Sequence, residues 1–351
     1  MKNVVFVLYL VISSVLYSQD IKEELPGFPN YFQQVADTLH YYTTGASAAT
    51  NIKYIKKETV YGEESYTDYE KYFNVAGVEL TKSGKPITKV ETVNDSVKIK
   101  KLFVLDGYPE ADTRALDDQD YYLSQLITYT PNSAIQSVTK YNGNGTKEVK
   151  HYTYDNKNRL VEIQEELFLG VSEDHLDTET AVVYFQVEPT IRIVTTASYS
   201  NNHLAKISST KESKDFNIGF YTTRSEQEFY YGEALTPVKV IETAIEISTD
   251  SGIKKETSKD LEITYNSDGQ MSESLIKLRE NEQELERINT YYSYGDYGLS
   301  RINRLRFRGS EEQQNHSLSY NASGTVVALV SIKEAADENV KEKEIYTFEY
   351  Y

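Results

Sequence analysis

A tyrosine followed by a turn-forming stretch and then an apolar residue recurs along this chain, and that pattern restricts the fold to hairpins. The clearest copies are Tyr154-Asp155-Asn156-Lys157-Asn158-Arg159-Leu160, Tyr265-Asn266-Ser267-Asp268-Gly269-Gln270-Met271 and Tyr320-Asn321-Ala322-Ser323-Gly324-Thr325-Val326. Looser copies begin at Tyr129, Tyr199, Tyr231 and Tyr294, with Tyr72 marginal. Successive spacings from Tyr129 are 25, 45, 32, 34, 29 and 26 residues, so insertions separate the units. Asn, Asp and Gly tolerate positive φ and make the turn, while a strand of period two enters and another leaves.

The alternation can be followed residue by residue. Two positions before each tyrosine stand Ile127, Tyr152, Ala197, Phe229, Ile263, Tyr292 and Leu318. One position before stand Thr128, Thr153, Ser198, Tyr230, Thr264, Ser293 and Ser319, nearly all hydroxyl residues. Successive strand side chains point to opposite faces, so one face carries the tyrosines and the other the small hydroxyls. Tyr346-Thr347-Phe348-Glu349-Tyr350 repeats the incoming strand and is expected to be a closing strand.

Tyr129, Tyr154, Tyr199, Tyr231, Tyr265, Tyr294 and Tyr320 are therefore expected to form the core of the repeats. Seven such rings, at about 150 Å² each, would present about 1,000 Å² if exposed. A soluble monomer's largest apolar patch is about 300 to 600 Å². Burial is the expectation, with the hydroxyl reaching water or a turn carbonyl from the hairpin end.

Tyr154-Asp155 followed by Arg159-Leu160 resembles the YD repeat of RHS and teneurin-type extracellular proteins, Tyr-Asp-x-x-Gly-Arg-Leu, with Asn158 standing where the glycine would be. Tyr265 to Met271 and Tyr320 to Val326 keep the tyrosine, glycine and apolar residue but carry Asn in place of Asp. The resemblance covers roughly residues 120 to 351. It implies a curved antiparallel sheet or shell, often an export-associated structural or toxin-encapsulating scaffold. The expected fold class is all-β: a large antiparallel meander or curved sheet of tyrosine-turn hairpins, with one short N-terminal helix.

That helix is expected from about Tyr31 to Tyr42, because Phe32, Val35, Ala36 and Leu39 share one helical face behind a capping-box-like Asn30 and Gln33. Ile52 to Leu105 reads as further strands with a turn at Lys82-Ser83-Gly84-Lys85-Pro86, and residues 106 to 120 read as a loop. Met1-Lys2-Asn3 followed by the apolar run Val4 to Leu16 and the polar Ser18-Gln19-Asp20 reads as a signal peptide over residues 1–19. The apolar run is too short for a membrane-spanning helix, which needs roughly 20 residues. The division expected is thus a signal, an N-terminal region over 20–120 and a repeat domain over 121–351, with one continuous sheet as the alternative. The protein is expected to be exported, to the periplasm or the outer cell surface.

Chemistry is sparse. The 37 basic and 54 acidic residues give a net charge of −17, which disfavours nucleic acid. The absence of cysteine removes disulfides, thiolate nucleophiles and Cys-ligated zinc. His40, His151, His175, His203 and His316 are scattered singly, without zinc or acid–base spacing. No nucleophile elbow, dinucleotide fingerprint or P-loop occurs. Asp106, Glu110, Asp112, Asp117, Asp118 and Asp120 offer oxygen ligands for calcium, with Asp112, Asp117, Asp118 and Asp120 the candidate set, but their spacing is not that of an EF-hand and a solvated loop is the favoured reading. The charge run Asn281 to Arg287 reads as a hairpin tip. These features favour a non-enzymatic scaffold or binding module whose partner is a glycan or envelope protein, with no cofactor expected and calcium the one candidate. Two alternatives stand beside it: an exported carbohydrate-active enzyme using a carboxylate pair, and an outer-membrane β-barrel, which needs strands of about 9 to 11 residues with an apolar outer band.

Overall fold

The computed structural model describes residues 25–32 and 52–351, apart from residues 63, 76–77, 83, 95–98, 106–120, 143–145, 172–183, 186–187, 216–218, 233–235, 249–250 and 336–340. The described residues are almost entirely strand; only Tyr31 and Phe32 are helical, and the rest of the expected helix lies outside them, as does the signal segment.

Twenty-one strands follow in order. The first five are β1 (Ile52–Tyr61), β2 (Glu64–Phe73), the two-residue β3 (Glu79–Leu80), β4 (Thr88–Asn94) and β5 (Ile99–Leu105). Then come β6 (Tyr121–Tyr129), β7 (Ile135–Tyr141), β8 (Thr146–Tyr154), β9 (Leu160–Val171), the two-residue β10 (Tyr184–Phe185), β11 (Ile191–Ser200) and β12 (His203–Asp215). The chain continues as β13 (Gly219–Tyr231), β14 (Pro237–Ser248), β15 (Lys254–Tyr265), β16 (Met271–Glu280) and β17 (Gln283–Gly295). It ends in β18 (Gly298–Arg308), β19 (Ser310–Tyr320), β20 (Val326–Ala335) and β21 (Lys341–Tyr350).

All ladders are antiparallel, and nearly all join sequence neighbours. β5 pairs with β6 from Ile99↔Thr128 to Leu105↔Tyr121, so one sheet spans residues on both sides of position 120. β9 pairs with β11, with β10 set beside its far end. The long-range exception is β1, which pairs with β2 on one side and with β21 on the other, from Ile52↔Tyr350 to Tyr61↔Glu342. The ends of this strand order, β3 and β4, are consecutive in the chain, and Leu80 is bridged to Pro86 between them. No ladder joins β2 or β3 to β4 among the described residues, so the sheet curls round without closing as a barrel.

Two regularities bend it. In seven hairpins the register slips between the tyrosine and the residue before it, as at Thr153/Tyr154 and Thr264/Tyr265. In the latter, Thr264 pairs Glu273 and Tyr265 pairs Met271, leaving Ser272 as the extra residue of a β-bulge, a device that bends a strand and increases its twist. The rows also shear. The row Ile127↔Val138↔Lys150↔Glu165↔Ile193↔Lys211↔Thr223 starts two residues below Tyr129, lies four below Tyr154 and six below Tyr199, and reaches eight below Tyr231. A constant stagger of this kind tilts strands and curls a sheet.

The core lies on the tyrosine face. Ile127, Tyr152, Phe229, Ile263, Tyr292 and Leu318, two positions before each tyrosine, are buried, while Thr153, Ser198, Thr264, Ser293 and Ser319 are exposed on the other face. Three clusters follow round the curl. One centres on Ile127, Val138 and Ile163; a second on Phe229, Val240 and Leu261; the third on Ile55, Ile302, Leu329 and Phe348. The third draws on both β1 and β21 and so cements the joint between the two ends of the chain.

Candidate functional site

The turns position everything at the tyrosine end. After Tyr129, Tyr154, Tyr265 and Tyr320 the next residue donates its N–H to the carbonyl four residues on: Thr130 to Ala134, Asp155 to Arg159, Asn266 to Gln270 and Asn321 to Thr325, at 2.8 to 2.9 Å. Its side chain then accepts from the loop it encloses. Asp155 Oδ1 takes the N–H groups of Lys157 and Arg159 at 2.9 Å, and Asn266 Oδ1 those of Asp268 and Gln270. The fourth residue after the tyrosine has positive φ, 60° at Asn158, 76° at Gly269 and 79° at Gly324, which is why Asn or Gly stands there. The same turn appears where the sequence pattern is disguised. Asn74 bonds Val78 behind Phe73, and Thr81 bonds Lys85 behind Leu80. Phe73, not Tyr72, therefore heads the first unit. Tyr72 instead packs at a tilt against Tyr54, 5.2 Å between centroids, and donates to Glu70.

Each clamp tyrosine reaches back one hairpin. Tyr154 Oη donates to the Ile135 carbonyl at 2.9 Å, Tyr199 to Leu160 at 2.9 Å, Tyr231 to Leu204 at 2.9 Å and Tyr265 to Pro237 at 3.1 Å. Tyr294 donates to Met271 at 2.8 Å, Tyr320 to Leu299 at 2.5 Å and Tyr350 to Val326 at 2.5 Å. Every acceptor is the first or second residue of the outgoing strand of the preceding unit. The rings are half-buried against the three clusters, and Tyr129 packs likewise. Burial pushes the phenols of Tyr231, Tyr294 and Tyr350 up to about 12. The Asp-x-x-x-Arg copy adds a further link: the Arg159 guanidinium holds Asp155 at 2.6 Å and lies 4.3 Å over the Tyr199 ring. That bond from Arg159, with the turn amides, keeps the Asp155 carboxyl below its ordinary value.

Away from the turns the same face becomes charged. Lys150 meets Glu165 at 2.5 Å, Glu242 meets Lys259 at 3.0 Å, Glu286 meets Arg306, and Lys333 meets Glu312 at 3.6 Å. Near the joint Lys57 bridges Glu344 at 2.6 Å and Asp68 at 3.1 Å, while Thr59 donates to Asp68. These positions look like polar interruptions of a core strand; paired across neighbours, they form a belt that edges the apolar clusters. A strap of chain, residues 25–32, also lies on this face. Phe28 touches two clusters, Phe32 is buried in the second, and Tyr31 sets its edge on Phe229 at 5.7 Å between centroids.

Two open clefts occur among the described residues, lined by Glu188, Arg192, Glu212 and Lys214 in one case and by Glu284, Glu286, Phe307 and Glu311 in the other. Among the described residues no group of three His, Asp or Glu is arranged to hold a metal. The calcium set Asp112, Asp117, Asp118 and Asp120 lies outside them. The run from Asn281 splits: Asn281 and Glu282 make a two-residue turn with φ 46° and 68°, and Gln283 to Arg287 enters β17. On the outward face Arg192 pairs Glu166, Lys206 pairs Glu226 and Lys239 approaches Glu262, an ion-paired surface where a membrane barrel carries lipid-facing apolar residues. No helix among the described residues is long and apolar enough to cross a membrane.

No family model matches the chain, and no curated protein does. Among solved structures the chain is similar to a porin-like protein from Bacteroides uniformis ATCC 8492, at 9% identity over 85% of this chain and 98% of that one, with a TM-score of 0.26. It is also similar to a mutated Photorhabdus luminescens Tc holotoxin pore, at 9% identity over 82% of this chain and a TM-score of 0.22, spanning 20% of the toxin chain.

Proposed function

We propose that this protein is an exported, non-catalytic β-repeat scaffold or binding module of the bacterial cell envelope, serving a glycan or protein partner. The observation that carries the reading is where the aromatic chemistry goes. Seven clamp hydroxyls are spent on backbone carbonyls of the preceding hairpin, so the repeats hold the wall rather than a ligand. What faces outward is a broad surface of hydroxyls and ion pairs, suited to polar recognition over an extended area rather than to chemistry in a cleft.

The test is a glycan array together with a turnover screen on polysaccharides, using the mature chain. Binding without turnover is expected. Release of reducing ends from any polysaccharide would replace this reading with that of a carbohydrate-active enzyme. Cell fractionation tests export separately, the expected result being recovery in the periplasm or at the surface.

A further inference from the structure

We propose that His316 makes the joint of the curled sheet acid-sensitive: protonation of this one imidazole loosens β18 to β20, next to where β21 meets β1. His316 sits in mid-β19 between Ile302 and Ser331, is fully buried, and neither ring nitrogen has a hydrogen-bond partner. Buried polar groups are nearly always bonded, so an orphan imidazole is a neutral group held where its charged form has no welcome.

The groups sharing its face follow from strand alternation. β18 contributes Arg304 and Arg306, β17 Thr290 and Tyr292, and β19 itself Glu312, Gln314 and Leu318. β20 contributes Ser331 and Lys333, and β21 Glu344 and Tyr346. Three of these are cations, Arg304, Arg306 and Lys333, and Arg306 is held by Glu286. Glu312 is engaged by Lys333, and Glu344 is held by Lys57. An imidazolium at this position would therefore meet Arg304 and an apolar cluster instead of an available carboxylate. That cluster contains Ile55 of β1 with Tyr346 and Phe348 of β21, so the strain falls on the joint.

Burial, then the charge of Arg304, lowers the His316 pKa to about 4. In an opened wall the ring regains its ordinary value of about 6.5. Between those values the opened form binds a proton that the closed form refuses. Opening is thus suppressed above about pH 6.5 and rises about tenfold per pH unit below it, levelling at about 300-fold near pH 4.

Amide hydrogen exchange of the full mature chain from pH 7.5 to 4.5, referenced to intrinsic rates, reads this directly. Opening of β18 to β20 should rise as stated, while β6 to β9 do not follow. His316→Leu, which matches the neighbouring Leu318 and Leu329, and the neutral His316→Gln should each flatten the rise; an unchanged rise in either folded variant overturns the proposal. Should both variants fail to fold, imidazole nitrogen NMR of the wild type decides. A ring still neutral at pH 5 in the closed form supports the proposal, and a ring titrating near 6.5 without opening overturns it.

Discussion

Replacing Tyr231 by phenylalanine separates the two jobs of a clamp. The ring stays on Leu204, Ile207 and Phe229, but the 2.9 Å bond to the Leu204 carbonyl is lost. One such bond is worth about 1 kcal/mol net. Tyr231→Ala also removes the ring; full aromatic truncations cost about 3 to 5 kcal/mol, so a half-buried ring should cost about 2 to 3. Clamps separated by a hairpin share no acceptor, so their effects should add. A variant with Phe at Tyr154, Tyr231, Tyr294 and Tyr350 should then lose about 4 kcal/mol, or about 8 °C in melting temperature at about 2 °C per kcal/mol for a chain of this size. Urea titration followed by far-ultraviolet circular dichroism measures the series. A quadruple variant as stable as the parent would refute the idea that the hydroxyls hold the wall. So would a Tyr231→Phe variant as unstable as Tyr231→Ala, because the ring would then not be packed as described.

The same clamps make the fold sensitive to alkali. Burial raises the phenol pKa values, so their contribution is complete below pH 10 and is lost as pH climbs toward about 12; the part of the phenolate absorbance that the four-Phe variant lacks should appear together with unfolding, not before it. Asp155 acts at the other extreme: its carboxyl is lowered, so its contribution is present at neutral pH and lost on acidification below about 4, and Asp155→Ala should blunt the acid limb of a melting-temperature profile. Gly269 and Gly324 both have positive φ, yet an added methyl at Gly269 meets open space while one at Gly324 lies 2.9 Å from the Tyr297 ring. Gly269→Ala should cost about 1 kcal/mol and Gly324→Ala clearly more, by about 1 to 2 kcal/mol, in urea titrations of the two variants. At the joint, Ile55→Ala leaves a cavity in the third cluster and should cost about 2 to 5 kcal/mol, with hydrogen exchange accelerated first in β1 and β21.

The hairpins are legible in the sequence because their information is local. A strand of period two, a tyrosine and an Asn or Gly four residues later are all that the turn at Tyr265 needs, and the buried Ile263 and exposed Thr264 follow from alternation alone. The turn behind Phe73 is missed when tyrosine is taken as the signature, although Asn74 makes the same bond as Asn266. What defines that unit is the Asx side chain, Asn74 Oδ1 accepting the Val78 N–H at 2.9 Å, not the aromatic head. The stack of Arg159 on Tyr199 is hidden differently: its partners are 40 residues apart because an insertion separates their units, and only the ladder between β9 and β11 makes them neighbours.

That Tyr346 to Tyr350 closes the meander as a strand is legible locally; that its partner is β1 is not. β1 and β21 carry Lys57 and Glu344, ordinary charges on strands with an otherwise apolar face, and their pairing has meaning only once nearly the whole meander has formed. The candidate site shares that property. The charged belt and the burial of His316 are products of register: each polar residue lies at an inward position of its own strand, and only the two-residue shear per hairpin decides which neighbour it meets. A curled sheet assembled this way has its strongest specification at the turns and its weakest at the seam. Local hairpins can form early, whereas the β1 to β21 ladder must wait for chain closure over nearly 300 residues, at a real entropic cost. The tyrosine clamps address that weakness. By tying each bulge to the carbonyl of the hairpin before it, they fix the curvature unit by unit, so that when β21 is laid down it already arrives beside β1.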